Sequence, residues 1–167
     1  RRVLKGDILL PRFQRGFVWS RKQIINLLDS IARGYPIGSM LLWQSSSQDL
    51  RSQNVIADLD VTLPRPGYPV NYLLDGQQRL SVICGALFWK PVFNPKSLWN
   101  IVFDLRAQVF LHLDTLAEPP IYQIRLNKLS DPSEYFTHVG KIKNLSNDDG
   151  NNNDKDMLVQ RAENLFN

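Results

Sequence analysis

The sequence predicts an α+β fold. Two runs at helical spacing, each closing one apolar face, alternate with short apolar runs set off by proline and glycine. The composition, 43% hydrophobic and 22% charged over 167 residues, is that of a globular chain and excludes disordered or fibrous classes. A chain of this length buries roughly 70% of its unfolded surface, enough for a core without disulfides.

The elements follow in order. Lys5 to Leu10 is expected as a short strand, ended by Pro11. Ser20 and Gln23 have the spacing of a capping box, so a helix starts there. Ile24, Leu27, Leu28 and Ile31 give it one apolar face, and Gly34 stops it. Ser39 to Trp43 is expected as a buried strand. Residues 44–69 carry turn formers and read as loop, with a weak strand near Val55. Val70 to Leu74 is a strand, Asp75-Gly76 a sharp turn, and Gln77 to Trp89 a helix burying Leu80, Ile83, Cys84, Leu87 and Phe88. Trp99 to Leu105 and Gln108 to Leu113 form a hairpin around Arg106-Ala107. Ile121 to Leu126 is a further strand, and Asp131 to Lys143 a helix with Pro132 in its first turn. Residues 146–156 are polar and Asn/Asp-rich, as in a linker or exposed loop, and Met157 to Phe166 resumes a helical pattern. The expected organisation is one domain over 1–145, then a linker and the start of a following helical region over 146–167.

Net charge is +4, and residues 1–40 carry eight basic against two acidic residues. That balance suits a phosphate-bearing partner, or equally a solvated surface. One cysteine and two histidines exclude a disulfide framework and a multi-cysteine or His-rich metal centre. No apolar run approaches the ~20 residues of a membrane span. The chain starts Arg1-Arg2, so it is expected to be a fragment of a longer cytoplasmic protein.

The strongest local signal is VNYLLDGQQRL, residues 70–80: a strand, a two-residue turn and an immediate helix start. A helix N-terminus offers free N–H groups and partial positive charge, which together bind anions. Gly76 allows close approach, and Arg79 can add a bidentate phosphate contact. Gln77 and Gln78 suit orientation of a phosphate or a water. The alternative is purely structural, with Asp75 capping the helix and Arg79 in a surface ion pair. The glycine spacings of a Walker loop or a dinucleotide fingerprint are absent.

Two other segments bear on the same chemistry. In PRFQRGFVW, residues 11–19, Phe13 and Trp19 are expected to pack as a staple under the helix, whereas Gln14 and Arg15 are functional candidates. GYPIGS, residues 34–39, is a tight connection that gains a role only beside the other two.

Together, PRFQRGFVW, LLDSIARGYPIGSMLLW and YLLDGQQRLSVI, in that order and spacing, resemble the N-terminal domain of GmrSD-type restriction proteins. The resemblance is close over residues 5–90 and looser beyond. It implies a ParB/sulfiredoxin-like α+β architecture with a nucleotide site. It implies an NTP-binding, NTP-hydrolysing regulatory domain of a modification-dependent restriction or anti-phage protein. Its nuclease would lie in a separate downstream or partner domain, since this chain has no His-Asn-His constellation. The alternative is a DNA-binding module without turnover. By the same resemblance the catalytic candidates are Asp75, Gln78, Arg79 and Arg15. The nucleotide-binding candidates are Gly76, Gln77, Gln14, Gly38 and Ile37. The implied cofactors are a nucleoside triphosphate and Mg²⁺, the latter through Asp75. Val18 stands where some relatives carry tyrosine, so sensing of backbone modification is not expected, and Cys84 is expected in the core. Direct nucleic-acid cleavage would need a second carboxylate beside Asp75, and Asp104 is the one the fold could bring near.

Overall fold

The computed structural model describes residues 2–46, 50–62, 69–92, 94–145 and 152–166. It confirms an α+β protein, built as two compact units. One comprises the residues up to Ile31 together with Tyr35–Gly85, and the other Ala32–Gly34 together with Ala86 onward.

The first unit holds a three-stranded sheet of order β1-β5-β2. Strand β1 (Ile8–Leu9) runs parallel to the central β5 (Val70–Asp75), and β2 (Leu41–Ser45) runs antiparallel along its other edge. Only two residues of the expected Lys5–Leu10 strand pair, because residues 2–6 form turns, with Gly6 at φ +78°. β3 (Val55–Ile56) and β4 (Leu59–Asp60) form a small hairpin where the weak strand signal fell. Ala57 and Asp58, both at positive φ, make its turn, the conformation a two-residue hairpin requires.

Helix α1 (Arg21–Ala32) starts as its capping box dictates. The Ser20 amide donates to Gln23 Oε1 at 2.9 Å, and the Gln23 amide donates back to Ser20 Oγ at 3.4 Å. Gly34 lies beyond its end at φ +68°, where an L residue would be strained. Ile24, Leu27 and Leu28 are buried as expected, but Ile31 is exposed. The core beside the sheet gathers Val3, Leu10, Ile56, Leu73, Leu80 and Cys84. On β5, Tyr72 is fully buried, stacks on Trp43 and exchanges hydrogen bonds with the main chain of Leu50.

The expectation of a buried strand at Ser39–Trp43 does not hold. The apolar run at Ser39–Trp43 forms a strand, displaced to Leu41–Ser45, but it is not buried: Leu41 is 57% exposed, and Leu42 and Trp43 are exposed as well. A strand is buried only where other elements cover the faces of its sheet, and the side chains of β2 are left largely open to solvent.

The second unit holds the sheet β7-β6-β8, from β6 (Ile101–Asp104), β7 (Val109–His112) and β8 (Gln123–Arg125). The expected hairpin is present, shortened at its ends. Asp104 fixes its turn by accepting from the amides of Arg106 and Ala107, both at 2.9 Å. A 3-10 turn over Leu126–Ser130 leads to α3 (Pro132–Lys143), where the Asp131 side chain accepts from Ser133 N and Glu134 N and Pro132 opens the helix. Helix α4 (Asn152–Phe166) packs on α3, with Phe166 stacked on Tyr135 at 4.5 Å between ring centroids. Residues 152–156, expected in the linker, are the first turn and a half of this helix, because Leu158 and Ala162 supply a buried stripe that carries the helix through polar neighbours. The remainder of that linker, residues 146–151, lies outside the described residues. No helix among the described residues is long and apolar enough to cross a membrane.

The buried polar centre of this unit is Asn100. Its Nδ2 shares two hydrogens among the carbonyls of Pro95, Leu113 and Thr115 at 2.9–3.0 Å, and its Oδ1 accepts from Arg125 Nη1.

Candidate functional site

The sharp β5–α2 connection, with α2 spanning Gln77–Phe88, sits against the loop that follows β1 and the loop that precedes β2. Between them lies a cavity of about 560 Å³, within the range of ligand sites. Trp19, Leu27, Ile37 and Leu74 give it apolar walls; Gln14, Arg15, Asp75, Gln77, Gln78 and Arg79 give it polar ones. All three sequence-singled segments therefore meet at one place.

The turn is possible because Gly76 has φ +97°. A Cβ there would also approach Met40 Cγ to 2.9 Å. The first intrahelical bond of α2 runs from the Leu80 amide to the Gly76 carbonyl at 2.9 Å. Among the described residues no side chain accepts from the amides of Gln77, Gln78 or Arg79. These are the open donors of a helix N-terminus. Asp75 does not cap them; its side chain is largely exposed and pairs with Arg79 at 3.2 Å.

The polar side chains divide into two groups. Gln14, Gln78 and Arg79 are engaged with main chain. Gln14 Nε2 donates to the Leu73 carbonyl. Gln78 accepts from the Val18 amide at 2.9 Å and donates to the Gly16 carbonyl at 3.0 Å, as a backbone strand partner would. Arg79 donates to the carbonyls of Ile37 at 2.6 Å and Ser39 at 2.7 Å. Gly38, at φ +84°, lies between those carbonyls, and a Cβ on it would collide with Arg79 Nη1. In contrast, Arg15 and Gln77 make no side-chain hydrogen bond or ion pair among the described residues, although Gln77 is only 8% exposed.

Two expectations need adjusting. Phe13 is 70% exposed and does not act as a staple, whereas Trp19 reaches the cavity wall. Asp104 is committed to its own turn, accepting also from Gln123 Nε2 at 3.0 Å. Burial opposes its ionisation, but the Ala107 amide, Gln123 and the Arg106 amide outweigh it and hold its carboxyl below the ordinary aspartate range. That is a structural carboxylate rather than a second metal ligand. Among the described residues no three His, Cys, Asp or Glu side chains cluster as a metal site would require. Cys84 is core, as expected, and burial pushes its thiol up to about 11.

The sequence matches the GmrSD restriction endonuclease N-terminal domain over residues 2–166. The chain belongs to that family. The match extends through both compact units, well past residue 90, where the recognisable motifs end. An uncharacterised protein of Methanocaldococcus jannaschii is 30% identical over 118 residues, which cover 65% of this chain and 20% of that protein. The matched segment thus spans about a fifth of that relative's length. Membership makes this a restriction-related, defence-type domain. Within the GmrSD motifs, sequence reasoning missed the main-chain partners, Gly16, Val18, Leu73 and Ser39, and the apolar wall from Leu27 and Leu74. A main-chain N–H or carbonyl carries no residue-specific signal, and so nothing local marks the main-chain partners.

Proposed function

We propose that this chain is the NTP-binding, NTP-hydrolysing regulatory domain of a restriction protein directed at modified foreign DNA. The observation that carries the reading is the convergence on one cavity of the N-terminus of α2, of Arg15 and of the buried Gln77, none of which has a capping or side-chain partner among the described residues. An anion fits that donor set, and the apolar wall of Trp19, Leu27 and Ile37 suits the less polar part of a nucleotide. The amides at Gly76–Gln78 and the Arg15 guanidinium would hold the phosphates. Arg15 would stabilise charge on the transferred phosphoryl group, where catalysis of such reactions largely lies. Asp75, the carboxylate beside the helix start, would be the protein's oxygen donor to a Mg²⁺ that arrives with the triphosphate and neutralises its charge. The nuclease would be a separate domain or partner chain.

A second reading has its own observation: exposed Phe13 and Arg15 lie in the basic stretch of residues 1–40, a pairing that suits DNA contact without turnover. Calorimetric titration with GTP, CTP, ATP and UTP in Mg²⁺ separates the two. Saturable binding that Arg15→Ala weakens roughly tenfold to a hundredfold, as loss of a charge-assisted bond requires, supports the nucleotide site. Absence of nucleotide binding, with DNA binding that falls steeply as salt rises, supports the second reading.

A further inference from the structure

Arginine and glutamine at a helix start beside a cavity look like ligand-binding groups, but here the bonds of Gln78 and Arg79 run elsewhere. Gln78 uses both ends of its amide on the loop after β1, at Gly16 and Val18. Gln14 fastens the same loop two residues earlier, to the last buried residue of β5, Leu73. Arg15 sits between these two tethers, and its own side chain has no bond among the described residues. Arg79 spans the carbonyls on either side of Gly38, and Asp75 takes a further donor of the same guanidinium. Gly38 has no Cβ in the place the guanidinium occupies, so the loop and the arginine are mutually fitted. The arginine side chain is only 17% exposed.

We infer that Gln78 and Arg79 are positioning residues. They hang the Gln14–Val18 loop and the Ile37–Ser39 loop from the first turn of α2, while Arg15, Gln77 and the free α2 amides meet the anion. The division of labour follows from hydrogen-bond capacity. A glutamine amide that pairs with one N–H and one C=O has the complementarity of a backbone strand, and a guanidinium fork spanning two carbonyls is a rigid brace. Phosphate contacts would compete with bonds that already order both loops. The part of this inference that names an anion rests on the nucleotide reading above; the bracing part does not.

The test therefore has two arms on the whole chain. The first reads loop order without ligand, by backbone amide hydrogen exchange on the millisecond-to-second scale. Gln78→Ala should speed exchange of the Val18 amide and its neighbours in residues 14–19, leaving residues 37–40 unchanged. Arg79→Ala should do the reverse. Gln78→Glu, which still accepts from Val18 but cannot donate to Gly16, should fall between wild type and Gln78→Ala; it also serves should the alanine variant fail to fold. Unchanged exchange in both loops overturns the bracing roles. The second arm titrates GTP with Mg²⁺ into Arg79→Ala, Gly38→Ala and the double variant. Bracing predicts that the double variant binds no more weakly than the worse single one, since both break the same contact. Independent losses that multiply would mean that Arg79 touches the nucleotide itself, and would overturn the inference. If the wild-type chain binds no nucleotide at all, the function proposed above fails, while the exchange arm still decides whether the two residues are braces.

Discussion

Asn100→Ala should be among the most destabilising single changes in the second unit. Asn100 is 1% exposed and joins three stretches of chain through four hydrogen bonds. Truncation takes the donor from the half-buried carbonyls of Pro95 and Leu113. Thr115 keeps Arg125 Nη2, at 3.3 Å. The costly loss is at Arg125, 3% exposed, whose Nη1 would face an empty position. Burial already lowers the Arg125 pKa, although Glu118 opposes that shift, so its charge is held at a cost even with every partner in place. Leaving one buried donor of a charged group unsatisfied costs about 3 kcal/mol, against a domain stability of about 5–15 kcal/mol. Urea unfolding followed by tryptophan emission measures it, because Trp99 is buried one residue away. Adding Arg125→Met should recover part of the loss, since the charge and its missing partner then go together. A loss below about 1 kcal/mol in Asn100→Ala, or a double variant that sums the two single effects, would refute the account of this polar centre.

Other outcomes follow from the same reasoning. Burial, with Lys128 nearby, lowers the pKa of His138 below its ordinary 6.5, although the Nε2 bond to the Ile121 carbonyl and Glu118 oppose this. As pH falls below 6.5 the unfolded chain takes up a proton that the folded chain refuses, so stability should fall with pH from there downward. Midpoints measured from pH 7 to 5 should show that slope, and His138→Gln should flatten it. Cys84, with its thiol near 11 and 3% exposed, should resist a thiol reagent at pH 8 until urea opens the fold; prompt native-state labelling would contradict its place in the core. Ser20→Ala should cost about 1 kcal/mol by removing the cap of α1, measured as a shift in the unfolding midpoint, with no change of cavity residues.

Local chemistry made much of the fold legible. The Ser20–Gln23 box, Gly34 and the Asp131-Pro132 start mark helix ends, and each is visible because the bonds involved span five residues or fewer. The exposure of β2 was not legible. Its apolar sequence describes what the strand would prefer against its faces, whereas its burial depends on which other elements cover the sheet there. Phe13 shows the same limit: an aromatic residue before a helix reads as a staple, but the loop turns it outward.

The candidate site divides along the same line. Sequence alone determined which residues belong together: the strand, turn and helix start at Val70–Leu80, the Gln14-Arg15 pair, and the glycine-bearing connection at Ile37–Ser39. It did so because a glycine turn feeding a helix, and polar residues inside an apolar segment, are local features. Only the tertiary structure decided what each side chain does. Gln78 reaches Gly16 across 62 residues of chain and Arg79 reaches Ile37 across 42, to main-chain carbonyls that every residue type possesses. A hydrogen bond to such a partner has no sequence signature, so the division between side chains that brace the cavity and side chains left free to face a ligand is set only when the loops close around α2.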